Sequence, residues 1–576
     1  MGNDMIRTQT AVKKTIFLMA LVFIFGIKAS SAVVYYVDAT GGRDDNSGLS
    51  PLAAWKSIAK VNKTTFAPGD QILFKRGEAW REALKPNSSG TTNNPILFAA
   101  YGTGNPPRIL GSESYAGAKF WIQETAFLWY TADVNWIPGM VFHSGLGSKR
   151  KASKGVLAAN WEWYHDDANK RLYYYLDQNP GNYPIEIVRR NGIGFTAVNN
   201  LTIRDLEIAF CQFGIGLWGA QKWTIDNVHI HDVTDCGIQG NNATKGITIR
   251  NSNFEDWDWK GYDAPFQSPE SFFGYGIQAV SQPGTSSDEW VISGNSLRTL
   301  HMTNRGADAT AIDIDQQGHA SLISNNNVDG NNATGGGGIM VWRPRGTADT
   351  VIKDNILRNV GAIGINVSEF HVNDFTSMVI LQRNIIHHSC HLDMLDQEAV
   401  RVWTSNSASV IVDNNLVDGC PKGVNQHYGI RVRESQSVQL YNNTVYGADV
   451  GVSIERGSSN ALIRNNISAG NRGAAISVES TSTVIEDHNL FYGATNGLTP
   501  SATTILTDPL FIDPLGGNFR LQARSLAIDK GASIAAGSTD LDGKSRPQGK
   551  GWDIGAYEFV LQKSVLTHPG NFRIVL

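Results

Sequence analysis

Charge is sparse in this chain. Only 18% of its 576 residues are charged, and 49 Lys and Arg stand against 53 Asp and Glu, for a net charge of −4. No long basic tract occurs, which excludes nucleic acid as the main partner, because phosphate recognition needs clustered cations. Long apolar runs are also scarce. One runs from Ile16 to Ile27 behind Lys13 and Lys14 and is followed by Ala29 to Ala32. A crossing helix needs ~20 apolar residues, so residues 1–32 read as a secretory signal peptide and no membrane span is expected. Cysteine is rare too: Cys211, Cys236, Cys390 and Cys420 are too few to be the framework of an exported chain. Cys390 and Cys420 each stand nine residues before a repeat phrase, a spacing that suits a disulfide between adjacent turns or two free thiols.

Glycine is plentiful, at 59 residues, and it often opens a short recurring phrase. The phrase is a small residue, then apolar, polar, apolar, polar. It occupies 311–315, 338–342, 364–368, 399–403, 429–433, 451–455 and 475–479, with earlier versions opening at Gly192, Gly214, Gly237 and Gly276. Such alternation is a strand with one buried face. A second phrase places Asn at 295, 326, 355, 384, 415, 443 and 466, and the shortest spacings between phrases are 22 to 24 residues. Short strands at a period in the twenties predict a parallel solenoid. Regular Leu and a helix, the marks of leucine-rich repeats, are missing. The recurring Asn predicts a stacked amide ladder at a bend, and the outward phase predicts a continuous exterior stripe. Longer turns precede Gly276, Ala311 and Ala399, so their loops should overhang one edge of that stripe.

The flanks differ. Residues 53–61 have helical spacing, with Trp55 and Ile58 on one face. Residues 118–186 break the rhythm with many aromatics, which predicts an inserted β-rich subdomain packed on its own core. The stretch 507–559 changes pattern again, and its acids Asp508, Asp513, Asp529 and Asp553 read as turn and cap residues.

Together these features resemble the pectate-lyase-like superfamily of right-handed parallel β-helices, across most of 33–559. The resemblance implies an all-β fold in consecutive parts. An N-terminal helical cap with the first coils would occupy 33–117, the inserted subdomain 118–186, the β-helix with its groove 187–506, and a C-terminal cap 507–576. It also implies a secreted, polysaccharide-directed protein, although noncatalytic adhesins share the architecture. A monomer is expected.

The chemistry centres on Asp313 and Asp315, two apart on one strand, so both carboxylates leave the same face with Cα atoms ~6.7 Å apart. Such a pair can divide general-acid and general-base work across a glycosidic bond, and mutual repulsion raises one pKa. The arrangement resembles iota-carrageenases. Residues 318–320 and 431–433 also look like polygalacturonase motifs, but here the acids are not adjacent and His319 follows too soon to lie a full turn away. Under a lyase reading, as in chondroitinase-B-like and alginate lyases, the Asp pair would hold calcium, Arg343 would stand in for their Arg, and His319 would be the base. Hydrolysis requires no cofactor. Glu398 joins Asp313, Asp315 and His319 as a catalytic candidate, with Glu434 and Glu455 as further acids of the stripe. Arg343, Arg345, Arg401, Arg431 and Arg433 suit carboxylate or sulfate oxygens, or pair with Asp315, Glu434 or Glu455. Trp342 and Trp403 occupy one repeat position two turns apart, ~9.6 Å, suited to a sugar face or to packing under a loop. The expected function is cleavage of an acidic polysaccharide, uronate-bearing or sulfated. Hydrolysis is favoured, β-elimination is the alternative, and noncatalytic glycan binding is the third reading.

Overall fold

The computed structural model describes residues 32–257, 274–280, 288–299, 310–315, 321–331, 337–342, 349–361, 363–368, 378–388, 397–404, 409–419, 426–534 and 539–561. Residues 1–31 of the expected signal segment lie outside these, as do His319, Arg343, Arg345, Cys390, Cys420 and most of the three long loops. Cys211 and Cys236 are both buried.

The alternating phrases form strands, and each repeat lays down three of them, one per face of a parallel coil. In one coil these are Leu322–Ser324, Asn327–Asp329 and Gly337–Trp342. The next coil repeats them as Thr350–Lys353, Ile356–Arg358 and Ile365–Ser368. Pairing is in register, with Ile323 beside Ile352, Val328 beside Leu357 and Ile339 beside Ile365. The inward phase therefore stacks aliphatic on aliphatic into a single core along the axis. Each such side chain contributes ~1.5–3 kcal/mol relative to exposure.

The opening residue of the phrase is small for a steric reason. A Cβ on Gly338 would lie 2.4 Å from the carbonyl oxygen of Gly364, and one on Gly364 would lie 2.5 Å from that of Ala399. The neighbouring backbone already fills that space. At the bend between the first two faces a residue of positive φ, such as Asn325 or Asp354, precedes each ladder asparagine. The ladder is continuous from Asn295 through Asn326, Asn355, Asn384, Asn415, Asn443 and Asn466 to Asn489. In each step one Oδ1 accepts both the backbone N–H and the Nδ2–H of the previous rung. Asn326, for example, donates both to Asn355 at 3.0 Å.

At the N-terminus Ser57 caps the helix Ile58–Lys63 by accepting the Lys60 N–H, and Ile58 and Val61 bury against the first coils. Asp44 accepts from Lys56 N, Ser57 N and Ser57 Oγ, which makes it a turn brace. Between Ile96–Tyr101 and Leu201–Arg204 the chain leaves the solenoid and returns in register, with Leu97 paired to Thr202. The excursion forms two small sheets with a core around Trp163 and Tyr174.

The C-terminal segment lies along a flank as well as near the last coil. Phe511, Phe519 and Ile554 pack with Leu416, Ile467 and Leu490, which belong to three of four consecutive coils. Arg546, whose side chain is fully buried, pairs with Glu558 at 2.7 Å and donates to Asn414 Oδ1 at 2.7 Å. No helix of the described residues is long and apolar enough to cross a membrane.

Candidate active site

The third face carries the predicted stripe as two adjacent outward columns. One contains Gln278, Asp313, Met340, Asn366, Arg401 and Arg431 in successive coils. The other contains Asp315, Trp342, Ser368, Trp403, Arg433 and Glu455. Alternation of side chains along each strand separates the columns.

The stripe is not open along its length, contrary to the sequence expectation. Asp313 is 1% exposed, Glu398 0%, Arg431 7% and Arg433 1%. Strand alternation dictates which side of the sheet a residue takes, but not what lies over it. Asp315, Trp342, Arg401, Trp403, Glu434 and Glu455 remain half-buried.

Asp313 and Asp315 share the strand Thr310–Asp315 and its outward face. An amide relay reaches the inner acid: Gln239 Nε2 donates to Gln278 Oε1 at 2.8 Å, and Gln278 Nε2 donates to Asp313 Oδ2 at 3.1 Å. Gln278 is not among the residues the repeat singles out, although aligning Gly276-Ile-Gln with Ala311-Ile-Asp sets it one coil before Asp313. Asp315 neighbours Trp342 in the next coil, and Trp403 follows two coils later in the same column.

Further along, charge is paired within the protein. Glu398 sits between two guanidiniums, 2.6 Å from Arg401 Nη2 and 3.0 Å from Arg431 Nη1. Burial pushes its pKa above the usual carboxylate range even though both arginines pull it down. Arg431 also donates to Glu455 Oε2 at 2.8 Å, and Ser453 Oγ donates to Glu455 Oε1 at 2.6 Å. Its guanidinium stacks 4.0 Å from the centroid of the Tyr428 ring, another contact the phrases did not reveal.

This cluster corrects three expectations. Glu398 precedes the small residue at the start of its phrase and lies between two arginines, so its charge is matched within the protein. Arg401 and Arg431 direct charge at Glu398 and Glu455. Trp403 carries the Arg433 guanidinium 4.6 Å from its ring centroid and donates Nε1–H to Glu434 at 3.1 Å, so a cation already covers its ring. The structure thus brings Asp313, Asp315 and Trp342 together at one end and Glu398, Arg401, Arg431, Glu434 and Glu455 at the other.

A family model described as right handed beta helix region matches residues 182–346 and 337–505, more than half of the chain. A lacto-N-biosidase of Bifidobacterium longum subsp. longum is 27% identical over 223 residues, which cover 35% of this chain but 12% of that protein. The chain therefore spans a small fraction of that relative's length. Among solved structures, the complex of XylC with xylose superposes with a TM-score of 0.55 at 13% identity, covering 92% of this chain and 98% of that one. A GH136 lacto-N-biosidase from Eubacterium ramulus gives a TM-score of 0.41 at 15% identity, over 79% of this chain and 67% of that one.

Proposed function

The chain belongs to the right-handed β-helix family, and on that premise we propose that it is an exported glycoside hydrolase working at the Asp313–Asp315 end of the third face. The observation that carries the reading is the unequal setting of two carboxylates on one strand face. Asp313 is buried and oriented by Gln278, whereas Asp315 is half-exposed beside Trp342. Two acids in different surroundings are what acid–base cleavage of a glycosidic bond requires. Asp315 meets the substrate, Asp313 stands behind it as the partner acid, and Trp342 offers a ring to a sugar face. The similarity to a chain named lacto-N-biosidase supports hydrolysis of a glycosidic bond over β-elimination. Elimination would also need a cation against the uronate, and the described arginines Arg401 and Arg431 are engaged with Glu398 and Glu455. Those ion pairs take Arg401 and Arg431 out of the argument for an acidic substrate, so the reading rests on the bond cleaved and leaves the charge of the sugar to the test below.

The test is a panel of neutral and acidic glycans, followed by reducing-end release and by ultraviolet absorbance of unsaturated uronate. New reducing ends without unsaturation are expected. Asp313→Asn and Asp315→Asn should each lower the rate by ~10²–10⁴ with unchanged thermal unfolding. Full activity in both variants, or unsaturated products, would overturn the reading.

A further inference from the structure

A second polar cluster lies away from the Asp pair, on the outer side of the second face. The coil strand Glu207–Trp218 pairs with His229–Asn241, and that strand pairs with Asn253–Trp257. Register sets Glu207 beside His229 and His231 beside Glu255. The inward phase here is Ile208, Ile230 and Phe254, all buried, so these four polar residues share the outer side. Their contacts run along the diagonals: His231 Nε2 is 3.3 Å from Glu207 Oε1, and His229 Nε2 is 3.1 Å from Glu255 Oε2. The two imidazole rings lie 4.5 Å apart, centroid to centroid.

We propose that Glu207, His229 and His231 form a binding site for a divalent transition-metal ion of the zinc class. One ligand atom from each lies within 4.8 Å of the others, close enough for small side-chain rotations to bring all three onto one ion. Two imidazoles and a carboxylate are the donor set that such an ion prefers over magnesium or calcium. Outer carboxylates are also in place. Asp232 Oδ2 is 2.7 Å from His231 Nδ1, the contact that selects the tautomer leaving Nε2 as the ligand atom. Glu255 holds His229 by the other nitrogen, Nε2, which leaves Nδ1 as its ligand atom, and is itself held by Arg298, which donates to its other oxygen. Rigid strands of adjacent coils carry all of these groups, so the site is preorganised. The side chains of His229 and His231 are 34% and 19% exposed, which gives the ion a way in. Three protein ligands leave a coordination position for water or another molecule.

The rival occupant is a proton, which would make the cluster a set of His–carboxylate ion pairs and nothing more. Full-length protein loaded with zinc chloride, dialysed and assayed by elemental analysis separates the two. About one zinc per chain is expected in the wild type, with binding at least ~10-fold weaker in His229→Ala and His231→Ala. Asp232→Asn should weaken binding ~10–100-fold while the three ligands stay intact. Cobalt in place of zinc should give visible d–d bands that both His variants lose. Circular dichroism checks that each variant is folded. Zinc retained equally by folded His variants, or no zinc in the wild type, overturns the proposal.

Discussion

Arg431 shows how far a single side chain can organise its surroundings. Its guanidinium bridges Glu398 and Glu455 while lying against Tyr428. Arg431→Ala leaves Glu398 with Arg401 and Glu455 with Ser453, and since complete loss of partners in a buried pair costs about 3–5 kcal/mol, the variant should lose a sizeable part of that. Chemical denaturation should register that loss, and adding Glu398→Gln to the same variant should recover part of it. None of these partnerships was legible in the sequence. The alternation places Arg431 outward, but its acids lie 33 residues before and 24 residues after it. Unequal coil lengths hide such columns until the coils are counted. The same blindness applied to Asp313, whose outward phase suggested water and whose actual neighbour is an amide.

Strands and their bends were far more readable, because their rules are local. Period-two alternation gave the inward columns, the small residue marked where backbones approach, and the repeated Asn announced its ladder. The ladder extends beyond the seven positions the repeats revealed. Asn489 adds a rung, and Ser252 N donates to Asn295 Oδ1 at the other end. Each rung serves two neighbours, so losing one has effects on both sides. Asn355 accepts from Asn326 and donates to Ile323 O and Asn384 Oδ1. Asn355→Ala leaves buried groups unsatisfied and should cost roughly 2–4 kcal/mol. Hydrogen exchange should show faster opening of the two flanking coils ahead of distant ones, as expected where neighbours supply the stability.

At the scale of the whole molecule the C-terminal segment ties several coils to one another. Asp553 is its titrating weak point, since burial raises its pKa to about 6 despite hydrogen bonds from Phe559 and Asp529. An acid with a raised folded pKa withholds stability once ionised. The loss begins near the unfolded value of 3.8, is complete above about 6 and then stays constant. Its size is on the order of 3 kcal/mol. Denaturation midpoints followed from acid to neutral pH should therefore fall more steeply in the wild type than in Asp553→Asn. The variant will be weaker at every pH, because an amide nitrogen cannot accept the N–H that a carboxylate oxygen does.

The inserted unit has a consequence for the order of folding. Leu97 and Thr202, partners in adjacent coils, are 105 residues apart (202 − 97), whereas Ile323 and Ile352 are 29 apart (352 − 323). Closing the longer loop from an unstructured chain costs about 1 kcal/mol more in entropy. The insert's own outer strands remove that penalty, because Ser112 pairs with Val188 and draws the two exits together. Once that pairing has formed, the solenoid meets a short connection in place of a long one. The first coils should then join the stack several-fold faster once the insert has folded, so the insert speeds assembly of the N-terminal half.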